Sequence, residues 1–220
     1  MNFLSHYYFE KNCSPEFLVG LILPDLFPGF NQKLRRNIRE TAPGLKSGLE
    51  IRKGIACHIR QDKAFHSSGF FQEREIYYKA HLHLPSFEKE RSRPYLFRHI
   101  YLEMLMDRVL IVYKPKHGPE FFEKLALLKA NHLSSFFKEI DRAKEVIDFF
   151  AIFNHFLSSK FLLNYIDNDF FIKALIRSYK RVVPYISFDN SDLKALHLFL
   201  EKDNKAFELE IIRFFNKFEY

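Results

Sequence analysis

At 220 residues, with 47% hydrophobic and 28% charged side chains, the chain can bury one substantial core and lies far from a disordered composition. Its formal charge of +7 and pI near 9.3 favour an acidic partner, which includes nucleic acid, an anionic membrane surface, a phosphorylated substrate or an acidic protein. A basic protein with no anionic partner fits the same numbers, and the only two cysteines, Cys13 and Cys57, exclude a disulfide framework or a CxxC zinc knuckle and fit a reducing cytoplasm.

In chain order, the opening MNFLSHYYFEKN lacks the basic start and small-residue cleavage site of a signal peptide. Ser14-Pro15-Glu16 is a helix start, and Pro24 is expected to stop that helix after about two turns. The apolar run Phe17 to Leu23 is too short to span a bilayer, so no transmembrane helix is expected. Pro28 and Gly29 then open an irregular loop whose rim carries Lys33, Arg35, Arg36 and Arg39.

Leu49, Ile51, Ile55, Ile59 and Phe65 recur at helical spacing and predict a long helix over 45–67 that tolerates Gly48 and Gly54. Similar periodicity predicts helices over 69–83, 93–113, 119–130, 134–158, 168–182 and 190–217, several of them bounded by prolines. The stretches IVY at 111–113 and VVPYISF at 182–188 are β-prone, but no hairpin signal accompanies them. The expectation is therefore an all-α fold in a single domain over 1–220. Its N-terminal half, about 1–113, holds the polar chemistry, and aromatic packing helices fill about 119–218. The 27 Phe and 11 Tyr supply the filling.

Six of the ten histidines lie in the first 99 residues: His6, His58, His66, His81, His83 and His99. His58, Asp62 and His66 stand at i, i+4 and i+8, and His99, Glu103 and Asp107 repeat that interval, so each helix is expected to present three ligand-type groups on one face. Imidazoles and carboxylates meeting from two or more helices are how helical proteins hold manganese, iron, zinc or magnesium. The same spacing also serves ordinary hydrogen-bonded pairs on a solvated face. His6, alone among Phe3, Leu4, Tyr7 and Tyr8, reads as a core residue, and His81 and His83 read as helix-end residues. Phosphate-loop, dinucleotide and GxSxG serine-hydrolase motifs are absent, and the basic cluster at 33–39 lacks any pattern for specific nucleic-acid recognition.

Met1-Asn2-Phe3-Leu4-Ser5-His6, Gly20-Leu21-Ile22-Leu23-Pro24-Asp25, Gly54-Ile55-Ala56-Cys57-His58 with Asp62, and the segment Glu103 to Asp107 together resemble the acyl carrier protein phosphodiesterase family over about residues 1–112. The resemblance implies a variant of the HD-type metal phosphohydrolase fold and a manganese-dependent hydrolysis that releases phosphopantetheine from a serine of acyl carrier protein. Carried over by position, it implies that Asp25, His58, Asp62 and Asp107 match the family's polar residues and that His6 matches its opening histidine. Glu103 stands where the family has Asp, His66 where Asp is common, and Arg108 where the family has a His.

The expected site thus uses Asp25, His58 and Asp62 as catalytic groups. Asp25, His58, Asp62, His66, His99 and Glu103 hold one or two divalent ions, manganese first, with iron, zinc or magnesium as alternatives. His6 and Asp107 orient the ligands. Lys33, Arg35, Arg36 and Arg39 would receive an acidic protein such as acyl carrier protein. A nucleotide or other small phosphoester is the alternative substrate, and a non-catalytic helical binding protein is the alternative from a different class.

Overall fold

The computed structural model describes residues 1–27, 46–89 and 91–218. Among them are ten α-helices, three short 3-10 segments and no strand, so the chain is all-α. The β-prone IVY forms the last turn of a helix and VVPYISF a connector, because neither has a neighbouring strand with which to pair its backbone. No described helix is long and apolar enough to cross a membrane. The basic cluster Lys33, Arg35, Arg36 and Arg39 lies outside the described residues. The chain divides into two compact units, each built from two separated stretches.

The first unit joins Met1–Lys63 to Pro115–Phe161. It holds α1 (Phe3–Phe9), α2 (Pro15–Leu26), α3 (Lys46–Ser67) as far as Lys63, α6 (His117–Ala126), α7 (Ala130–Glu139) and α8 (Val146–Ser159). The Ser14 hydroxyl accepts the Phe17 N–H at 3.1 Å and starts α2 where the sequence placed it. Pro24 does not stop α2, which runs on to Leu26. In the last turn the missing N–H of Pro24 removes a single helical hydrogen bond, and only two residues follow it before the helix ends.

The helix expected over 134–158 is two, α7 and α8, because Asp141 adopts a left-handed φ of 57° that ends the first. Phe121 and Phe122 on α6 and Phe149 and Phe156 on α8 are buried, in line with the aromatic packing expected there.

α2 and α3 approach backbone to backbone. A Cβ on Gly20 would lie 2.1 Å from the Ile51 carbonyl oxygen, and one on Gly54 would lie 2.1 Å from that of Phe17. Glycine is required at both positions for this approach. Its consequence is that the residues one turn beyond Gly54 on α3 reach the C-terminal half of α2.

The second unit runs from Ala64 to Lys114 and resumes at Leu162. It holds the last turn of α3, α4 (Gly69–His81), α5 (Pro94–Tyr113), α9 (Asn168–Lys180) and α10 (Asn190–Lys217). Ser68 and Asp167 cap α4 and α9, and a reciprocal Asp189–Asp192 capping box starts α10. In the core, Tyr78 and Tyr101 both donate to Asp203 Oδ2 at 2.9 Å. Arg108 donates to the Tyr165 carbonyl at 2.8 Å and to Asn168 Oδ1 at 2.7 Å, tying α5 to the start of α9.

Candidate metal centre

Four side chains from three helices meet in the first unit: His6 from α1, Asp25 from α2, and His58 and Asp62 one turn apart on α3. The two imidazole rings lie with centroids 4.3 Å apart. Each is fixed through Nδ1: His6 Nδ1 lies 2.6 Å from Gln61 Oε1 and His58 Nδ1 lies 2.9 Å from the Leu21 carbonyl oxygen. A carbonyl can only accept, so these contacts put the Nδ1 proton on His58 and, with the amide oxygen of Gln61 facing it, on His6. In the neutral rings each Nε2 is then left with its lone pair.

Both Nε2 atoms face carboxylates. His58 Nε2 stands 3.2 Å from Asp62 Oδ2 and 3.7 Å from Asp25 Oδ1, while His6 Nε2 stands 3.3 Å from Asp62 Oδ1 and 4.0 Å from Asp25 Oδ2. Both Nε2 atoms are buried, and neither makes a hydrogen bond of good geometry. Ligand atoms of His6, His58 and Asp62 all lie within 4.8 Å of one another, the size of a cation's coordination sphere. The Met1 amino group also donates to Asp62 Oδ1 at 2.9 Å.

The electrostatics follow from this crowding. Burial, and then the neighbouring His58 charge, push the His6 pKa down, toward the neutral imidazole that a metal needs. Burial also works against a charged His58, but the attraction of Asp25 and Asp62 outweighs it and raises that ring's pKa. Asp62 is held far below the usual aspartate range: burial opposes this, and the Met1 ammonium and the two histidines overcome it. The Asp25 side chain is half-buried, and desolvation of its carboxyl and the Asp62 charge raise its pKa against the pull of His58.

The expected triplets do not survive as units. His58 and Asp62 join His6, whereas His66 groups with His99 and Glu103 in the second unit. Asp107, one turn beyond Glu103, is fully buried and outside that group of three, whose members are all half-buried. His6, read as a core residue and then as a ligand-orienting one, presents its own Nε2 beside Asp62. Asp25 was expected just after a helix end and instead sits in the last turn of α2.

Sequence reasoning missed Gln61 and the Leu21 carbonyl. Gln61 lies between two singled-out positions on the same helix, and its amide also reaches Cys57 Sγ at 3.5 Å, which donates to Glu10 at 3.2 Å. Arg108 is remote in role from the ligands, being engaged with Tyr165 and Asn168. His81 and His83 bond to carbonyls of the α4 end, as their position implied.

No family model, no curated protein and no solved structure matches the chain.

Proposed function

We propose that the protein is a metal-dependent phosphodiester hydrolase with the chemistry of the acyl carrier protein phosphodiesterases that its N-terminal half resembles. The observation that carries the proposal is the convergence of two buried, oriented imidazole Nε2 atoms on the carboxylates of Asp62 and Asp25. Two nitrogen and two carboxylate donors suit manganese, and also iron or zinc. His6, His58 and Asp62 would hold the ion, with Asp25 as the fourth and most accessible ligand. When bound, a divalent ion supplies Lewis acidity, drawing charge from the phosphoryl oxygens and acidifying water.

The chain's own groups account for the remaining work. Gln61 and the Leu21 carbonyl hold the two rings in the tautomer with Nε2 free. Asp25, the most accessible of the four, would take the proton of a water with the carboxylate oxygen it does not give to the ion; as that water's oxygen bonds to phosphorus the bond to the leaving alcohol breaks, and the alcohol takes up the proton. Lys33, Arg35, Arg36 and Arg39 would meet an acidic carrier protein.

The test is release of phosphopantetheine from holo-acyl carrier protein, run with added manganese beside a panel of small phosphodiesters. Release abolished by His58→Ala supports the reading. Turnover of the small esters alone would move the substrate to that class, and no turnover of either would leave a binding protein.

A further inference from the structure

A second set of donors lies wholly within the second unit. His66 belongs to the last turn of α3, and His99 and Glu103 stand one turn apart on α5. Both imidazoles aim Nε2 at the same oxygen, His99 at 3.1 Å and His66 at 3.5 Å from Glu103 Oε1. The three ligand atoms lie within 4.8 Å of one another, and the rings are 4.7 Å apart.

A single ion pair between His99 and Glu103 would leave two features without a cause. His66 Nε2 is buried with no hydrogen bond, although the His66 side chain as a whole is 36% exposed. Glu75 on α4 also buries an oxygen, Oε1, with no hydrogen-bonding partner, and its electrostatic neighbours are His99, Arg98, His66 and Glu103. Phe71, one turn before Glu75, sets its ring edge-on to both imidazoles at 5.0 and 5.3 Å, which holds the rings in place and keeps water from one side.

We infer that His66, His99 and Glu103 form a second metal centre of their own, suited to a zinc-type ion, with Glu75 as the fourth protein group that binds or orients it. Two imidazoles and one carboxylate form a common zinc donor set, whereas magnesium prefers oxygen donors throughout. The centre does not depend on the phosphodiesterase reading, because none of its residues belongs to the His6–His58–Asp62 group.

The experiment strips the full-length protein with a chelator and titrates it with Co²⁺, read by visible absorption, and with Zn²⁺, read by elemental analysis after desalting. The decisive background is His58→Ala, in which the first group is dismantled. That variant is expected to retain one equivalent of Zn²⁺ and its cobalt spectrum, and adding Glu103→Gln or His66→Ala is expected to remove both while the helical circular dichroism stays unchanged. Glu75→Gln, which leaves the three ligands intact, is expected to weaken Zn²⁺ binding by about tenfold or more. A His58→Ala protein that binds no zinc would overturn the inference, as would a bound equivalent indifferent to His66→Ala and Glu103→Gln. Unchanged affinity in Glu75→Gln would remove Glu75 from the centre.

Discussion

Replacing Gly54 with alanine tests whether the α2–α3 crossing sets the geometry of the His58 ligand. The added methyl would lie 2.1 Å from the Phe17 carbonyl oxygen, 2.7 Å from the Leu21 nitrogen and 3.0 Å from the Gly20 carbonyl carbon. All three are backbone atoms, so no side chain can swing aside and the helices must separate. Overpacking of this kind costs about 3 kcal/mol, and the better helix propensity of alanine returns about 1 kcal/mol, leaving a net loss of about 2 kcal/mol. For a chain of this length that lowers Tm by about 4–8 °C.

Separation also lengthens the 2.9 Å contact between His58 Nδ1 and the Leu21 carbonyl, so metal affinity is expected to fall by about tenfold. Thermal unfolding followed by circular dichroism, and Mn²⁺ titration of the same samples, would measure both effects. Gly69→Ala is the control: nothing lies within 4 Å of its Cβ, and stability should stay level or rise by up to about 1 kcal/mol. Equal Tm values for wild type and Gly54→Ala would refute the reasoning.

Other perturbations separate ligand orientation from architecture. Gln61→Leu removes the acceptor at His6 Nδ1 and is expected to weaken metal binding by about 10–100-fold, read by titration of the apoprotein; an unchanged affinity would remove His6 from the site. Arg108→Ala loses two hydrogen bonds and should cost about 2 kcal/mol in chemical denaturation while leaving metal stoichiometry intact; loss of metal instead would give Arg108 a part in the centre.

Asp203 supplies a pH test. Burial raises its carboxyl from 3.8 to about 6, although Tyr101 and Tyr78 both donate to it. A folded-state pKa above the unfolded one means that the folded chain binds the extra proton between those values, so this group favours folding at low pH. Its contribution is lost as pH rises from about 4 to about 6. Asp203→Asn should abolish that loss and gain on wild type by about 2–3 kcal/mol across the window; parallel pH profiles for the two proteins would contradict it.

Most helices were legible because they bury one face at 3.6-residue spacing and begin or end at prolines and capping side chains, as α4, α9 and α10 do. The errors have local causes. Pro24 reads as a stop, but its missing N–H removes a single hydrogen bond in a final turn, and Asp141 breaks 134–158 through a left-handed backbone that periodicity does not register. α1 has no capping side chain and only seven residues, so its pattern was too short to predict as a helix.

At the site, spacing along one helix found His58 with Asp62 and His99 with Glu103, since i, i+4 neighbours share a face whatever the fold. It could not show that His6 comes to Asp62 from 56 positions away, a contact made by tertiary packing. Nor could it show that a glutamine and a main-chain carbonyl set the tautomers, because neither is a ligand type.

Bound metal in wild type and in His58→Ala, purified without a metal-affinity tag and measured by elemental analysis alongside manganese-dependent phosphopantetheine release, tests the central claim most directly. A divalent ion at the His6–His58–Asp62 group that disappears from His58→Ala together with release is the predicted result. Release that persists in His58→Ala, or a wild-type protein that binds no divalent ion at this group when manganese is supplied, would contradict it.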